Sequence, residues 1–102
     1  MYRQNGLQIS EQEFKELLKR EDYKTVAKRK HKGLIIKTCW RGVDLSYGAS
    51  KKPLIFETRV TKNDKEIEVR RYATREQALK NHDILLRKYN LAPNSFNINF
   101  TL

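Results

Sequence analysis

Residues 53–82, PLIFETRVTKNDKEIEVRRYATREQALKNH, decide the fold, because they read in order as strand, turn, strand and capped helix. Runs 54–61 and 66–72 are rich in β-branched and aromatic residues, and Lys62-Asn63-Asp64-Lys65 separates them, which is a hairpin signal. With Asn63-Asp64 as a two-residue turn, Val60 faces Ile67, Thr58 faces Val69, Arg59 faces Glu68 and Glu57 faces Arg70. That register makes one face apolar and closes the other with two opposite-charge cross-strand pairs. Asn-Asp is a weaker type I′ pair than Asn-Gly, so a four-residue loop stays open as an alternative.

Thr74-Arg75-Glu76-Gln77 follows with the spacing of a capping box. Beyond it Ala78, Leu79, His82, Leu85, Leu86 and Tyr89 recur at helical intervals, while Arg75, Lys80, Asn81, Arg87 and Lys88 fall mostly on other faces. Asn90 and Pro93 mark the end of this helix.

Working outward, Gly33 opens Leu34 to Arg41, a strand with Leu34, Ile36, Thr38 and Trp40 on one side and Ile35, Lys37, Cys39 and Arg41 on the other. After Gly42 the large apolar residues change parity, to Val43, Leu45 and Tyr47, as a β-bulge would make them. Residues 34–47 are therefore expected as one bent strand or two short ones, and Gly48 to Pro53 as a loop. Trp40 and Cys39 read as core residues. Nearer the start, Met1 to Gly6 is expected to fray. Ser10-Glu11-Gln12-Glu13 is a second capping box, with Ile9 and Phe14 spaced as a hydrophobic staple. It predicts a helix over about 11–20 that buries Phe14, Leu17 and Leu18. Ser95 to Leu102 alternates Phe96, Ile98 and Phe100 with polar residues, a terminal strand or docked tail. The expected fold class is α+β: one small domain over 1–102, mainly antiparallel, in the order α-β-β-β-α-β, with helices packed on one face.

Twenty-two Lys and Arg stand against 12 acidic residues, a net charge of +10 in 102 residues. The excess is spread along the chain, so it belongs to the folded body, and its natural partner is polyanionic. Its densest run is Lys28-Arg29-Lys30-His31-Lys32, in a stretch with few apolar anchors. The run reads either as a solvated connector or as a phosphate-contacting patch. The candidate nucleic-acid or partner contacts are Lys28, Arg29, Lys30, Lys32, Arg41, Lys51 and Lys52, with Trp40 and Tyr47 supplying the aromatic type on which bases stack.

The length leaves room for one core and excludes an enzyme with a separate substrate domain. No run of apolar residues is long enough to span a membrane, and no leader pattern is present, so membrane contact is not expected and a cytoplasmic location in a host cell is. One cysteine and two histidines give neither a disulfide framework nor a metal cluster, and no cofactor motif occurs. A metal-dependent nuclease would place Asp44 beside Glu57-Thr58-Arg59 or Glu68-Val69-Arg70, but both triplets carry Arg where such sites use Lys. Ser46, Ser50 and Cys39 lack a base and an orienting partner for nucleophilic catalysis. His82 is expected to be a helix residue hydrogen-bonded to the hairpin at Tyr72 or Glu57. Binding accounts for these residue types better than catalysis.

Thr38-Cys39-Trp40-Arg41-Gly42-Val43-Asp44, then Pro53-Leu54-Ile55-Phe56-Glu57-Thr58, then Tyr72-Ala73-Thr74 with Ala78 and His82, resembles a family of small proteins encoded by bacteriophages and prophages. Arg41 stands where the family has Leu, and Asn81 where a Gly precedes the His. The family has no established activity. The resemblance implies an origin in a phage or mobile element. It leaves two functional readings: an accessory protein that binds nucleic acid or a host nucleoprotein machine, and a counter-defence inhibitor, of anti-CRISPR type, that binds a host nuclease or a nucleotide signal.

Overall fold

A computed structural model of the chain describes residues 1–92. The elements are α1 (Glu11–Leu18), α2 (Glu21–Lys24), β1 (Thr25–His31), β2 (Leu34–Trp40), β3 (Phe56–Lys62), β4 (Lys65–Tyr72) and α3 (Arg75–Lys88). The strands form one antiparallel sheet in the order β1-β2-β3-β4. The α+β class is thus as expected, and the order of elements is not. A helical turn and a strand precede β2, and the strand expected at 95–102 lies outside the described residues.

Two tight hairpins set the sheet. Asn63 and Asp64 both have positive φ, 49° and 67°, as a type I′ turn demands, and Lys62 pairs with Lys65 across it. Lys32 and Gly33, at 48° and 80°, make the equivalent turn between β1 and β2. The two turns meet, since Asn63 N donates to Gly33 O at 3.0 Å.

The β3–β4 register differs from the one the charges suggest. It starts at the turn as expected, with Thr61 opposite Glu66, and then slips by one residue, so that Val60 faces Glu68, Arg59 faces Val69, Thr58 faces Arg70 and Glu57 faces Arg71. Ile67 is the extra residue, and its side chain is exposed. The slip turns Glu68 toward α3, where it accepts from Lys88 Nζ at 2.8 Å and Tyr89 Oη at 2.9 Å. Val60 keeps an apolar partner in Ile36 of β2. The ion pairs expected across the strands form instead along them, from Arg59 Nε to Glu57 at 2.7 Å and from Arg70 Nε to Glu68 at 2.6 Å.

α3 covers one face of the sheet. Its start is the expected capping box, with Gln77 N donating to Thr74 Oγ1 at 3.1 Å and Thr74 N donating to Gln77 Oε1 at 3.3 Å. Thr74→Ala should cost about 1 kcal/mol, read as a lower denaturant midpoint with an unchanged slope. Ser10 caps α1 by accepting from Glu13 N at 3.1 Å, but the Glu13 carboxylate pairs with Arg3 rather than closing a box. α1 ends at Leu18 and buries none of its residues fully: Phe14 and Leu17 are half-buried, and Leu18 is exposed.

Beneath α3, helical and strand spacings match in three rows. Leu34, Ile36, Val60, Leu85 and Leu86 form one apolar cluster, and Trp40, Ile55, Phe56 and Ala78 another. Between them runs a buried polar row, Thr58, Thr38 and His82. Thr58 Oγ1 and Thr38 Oγ1 are 2.5 Å apart, and Thr38 Oγ1 is 2.7 Å from His82 Nδ1. The partner of His82 is therefore Thr38 of β2, not Tyr72 or Glu57. Among the described residues its Nε2 is buried without a partner, an arrangement that favours the tautomer with the proton on Nδ1, where Thr38 Oγ1 accepts it.

Chain segments that read as loose are held. Trp40 is core, as expected, and its Nε1 donates to Tyr2 O at 2.9 Å, while Tyr2 N donates to Gly42 O at 2.8 Å and Gln4 N to Tyr23 Oη at 2.7 Å. Met1 to Gly6 is thereby tied to the sheet rather than frayed. Gly42 ends β2 rather than bulging it. Its φ is +74°, and a Cβ there would sit 2.5 Å from Trp40 and 2.6 Å from Phe14. Residues 43–47 are then a loop, not a strand. Asp44 organises it, accepting from Ser46 Oγ at 2.6 Å, Ser46 N at 2.9 Å, Leu54 N at 3.0 Å and Gly48 N at 3.1 Å.

Stability should fall with acid in two stages. Burial holds His82 below its ordinary value. The fold therefore resists its protonation, and stability drops as pH falls below the unfolded value of about 6.5. The Lys88 hydrogen bond, with help from Arg70 and Tyr89, lowers Glu68 to about 2, and the Ser46 hydroxyl with three backbone N–H groups lowers Asp44 to about 2. Both carboxylates contribute stability above their unfolded values that is lost as pH falls toward 2. Melting temperatures across this range should show both limbs, and Glu68→Gln should flatten only the lower one.

Candidate nucleic-acid interface

Alternation along the strands separates two chemically different faces. Leu34, Ile36, Thr38 and Trp40 of β2 point under α3 with their partners on β1 and β3, and the intervening residues point away. The outward set comprises Lys28 and Lys30 of β1, Ile35, Lys37 and Cys39 of β2 continuing to Arg41, Glu57, Arg59 and Thr61 of β3, and Glu66, Val69 and Arg71 of β4. α3 packs on the other face, and α2 borders this one through Glu21, whose carboxylate feels Lys28 and Lys37. The outward face carries six cations against two carboxylates, and all the cations but the half-buried Lys37 are exposed.

β1 makes the face basic. Its sequence, TVAKRKH, lacks the apolar alternation that marks a strand, because β1 is a sheet edge. Edge strands carry charge without penalty, and lysines on an edge discourage pairing with another chain. Lys28 lies directly opposite Lys37, and Lys30 opposite Ile35.

Glu57 lies at the centre of the face. Its carboxylate accepts from Arg59 Nε at 2.7 Å and Arg71 Nε at 3.0 Å and has Arg41 Nε at 3.8 Å, while Arg59 also bonds Glu66. Burial pushes the Glu57 carboxyl up, and the two arginine hydrogen bonds more than offset it, so the group stays ionised below its ordinary value. Lys28, Lys30 and Lys37 make none of these pairs, though Glu21 at the start of α2 feels Lys37 and Lys28. Cys39 is half-buried on this face rather than a core residue, and its burial raises the thiol.

The candidate residues read from the sequence divide. Lys28, Lys30 and Arg41 lie on the open face. Arg29 points to the opposite side, where Nη1 donates to Ala92 O at 3.1 Å. Lys32 sits in the hairpin turn, and Lys51 and Lys52 in the loop before β3. Lys52 borders a cavity of about 680 Å³ between the chain start and the first turn of α3, together with Tyr2, Gln4 and Arg75. Tyr47 projects from the Asp44 loop at 96% exposure. Sequence reasoning missed Lys37, Arg59 and Arg71. The signal for Lys37 was the β2 alternation, which placed it with Arg41 and away from Trp40.

The nuclease arrangement is not assembled. Asp44 is engaged in its own loop, Glu57 lies on the open face and Glu68 on the side of α3. Among the described residues no three His, Cys, Asp or Glu side chains are grouped as a metal site. Nor is any described helix long and apolar enough to cross a membrane. Comparison with family models, with curated proteins and with solved structures finds no match.

Proposed function

We propose that this chain is a non-enzymatic accessory protein of phage or mobile-element type that binds nucleic acid, or a nucleic-acid-containing host machine, through the face of its sheet opposite α3. The observation that carries this reading is the placement of β1, which sets Lys28 and Lys30 beside Lys37 on the same face as Arg41, Arg59 and Arg71. Cations spaced over a sheet match the repeating charge of a phosphate backbone. Among the described residues the face holds no Phe, Tyr or Trp, and so no aromatic platform for bases. Its floor of Ile35, Cys39 and Val69 is small and apolar. Backbone contact, largely independent of sequence, follows from that composition.

The test is binding to labelled single- and double-stranded DNA and RNA at two salt concentrations, with a pull-down from host lysate before and after nuclease treatment. Salt-sensitive binding and a nuclease-sensitive pull-down support the reading. If nothing binds at low salt and a host protein survives nuclease treatment, the counter-defence reading replaces it.

A further inference from the structure

Within the basic face, the three arginines around Glu57 are held in a particular way. Glu57 is 3% exposed, and each of its guanidinium neighbours approaches through Nε: Arg59 at 2.7 Å and Arg41 at 3.8 Å to Oε1, and Arg71 at 3.0 Å to Oε2. Arg59 and Arg71, hydrogen-bonded to Glu57 through Nε, keep their terminal nitrogens for other partners, the fork that grips phosphate bidentately, and Arg41 makes a longer ion pair to the same carboxylate. Arg59 shares one terminal nitrogen with Glu66. The three side chains remain 45–48% exposed, so their outer ends face solvent.

Beside Arg41 and Arg59 the surface is concave. Lys37, Cys39, Arg41, Glu57 and Arg59 line a depression of about 190 Å³. That is below the ~300–1,000 Å³ of pockets that enclose whole small molecules. It suits a small charged group. Three cations against the one carboxylate among the lining residues leave a surplus of positive charge over it.

We propose that this depression is an anchor site for a single phosphate group of the bound nucleic acid, with Lys37, Arg41 and Arg59 as its ligands and Glu57 as the positioning residue beneath them. The proposal rests on the reading of the open face as a nucleic-acid surface and sharpens it to one subsite. Glu57 has a sign-reversing consequence. A carboxylate in the middle of an anion-binding face weakens the face's field, so its removal should tighten binding if field alone matters. If Glu57 instead orients the guanidinium forks, its removal should loosen binding.

Glu57→Gln makes that distinction, since it keeps the side-chain shape and adds one unit of net positive charge. With labelled oligothymidylate as the probe, the affinity of Glu57→Gln should fall about tenfold, the scale of one lost charge-assisted hydrogen-bonding site. The salt slope should become shallower by about one contact. The fluorescence of Trp40, the single tryptophan, checks that the variant is folded. A second variant guards against a folding defect: Arg41→Lys with Arg59→Lys keeps every charge, removes both forks, and should lose affinity to a similar degree. Tighter binding by Glu57→Gln, or unchanged binding by the double lysine variant, overturns the anchor site. If wild type binds and Lys28→Ser/Lys30→Ser weakens it while both depression variants bind as wild type, the nucleic-acid reading stands and the anchor falls. Absence of binding by wild type overturns both.

Discussion

Trp40→Ala is expected to remove a large part of the stability of the domain. Trp40 is 1% exposed and stacks edge-on with Phe14 at 5.7 Å and Tyr23 at 4.9 Å between ring centroids. It also packs with Ile55, Phe56 and Ala78. Emptying such a site costs ~3–5 kcal/mol, against ~5–15 kcal/mol for a whole domain of this size. The cost has a second component, because the indole N–H holds Tyr2 O, and Tyr2 N in turn holds Gly42 O. The start of the chain should therefore loosen with the core. Melting by far-UV circular dichroism should show the midpoint lowered on the order of 20 °C. Trp40→Phe, which keeps most of the volume and drops the hydrogen bond, should lie between. A Trp40→Ala midpoint within a few degrees of wild type would mean that the second cluster is not a structural core.

The helix over 75–88 and the β3–β4 turn were legible because each is set by local chemistry. Thr74 and Gln77 find each other three residues apart, and Asn63-Asp64 tolerates positive φ. The register was not, because complementarity between two strands leaves out the neighbours each has on its other side. In the sheet β3 has β2 on its other side to satisfy Val60, and α3 supplies Lys88 and Tyr89 for Glu68, so the hairpin is free to bulge at Ile67. The repeated Glu-x-Arg of Glu57-Thr58-Arg59 and Glu68-Val69-Arg70 reads in hindsight as two same-face neighbours along each strand. Pairs at that spacing are indifferent to register.

β1 escaped for a different reason. Periodicity finds strands with one face in the core, whereas β1 contributes only half-buried Val26, Ala27 and Arg29 to the covered side and lysines to the open one. The charge density of residues 28–32 was visible, but the strand was needed to sort it. A strand puts alternate residues on opposite faces, so Arg29 leaves the candidate site and Lys37, Arg59 and Arg71 join it. The Lys32-Gly33 turn was the available signal, since a glycine after a polar residue and before an apolar alternation also marks a hairpin.

That sorting yields the last expected result, a variant with Lys28, Lys30 and Lys37 replaced by Ser. All three side chains lie on the open face, and none takes part in the arginine–carboxylate network around Glu57, so the sheet should fold as before. If each lysine neutralises one phosphate, the slope of log affinity against log salt should flatten by about 0.7 per contact on single strands, about two units for the three. Relative to 1 M salt, each such contact is worth about 0.7 of a decade at about 0.1 M, so the variant should bind roughly a hundredfold more weakly there. Arg29→Ser with Lys32→Ser removes two charges from the same run, off the open face. It should change affinity far less, because Arg29 serves Ala92 and Lys32 serves the turn. Equal losses from the two variants would mean that charge density along residues 28–32, rather than the face built by β1, β2 and β3, holds the partner.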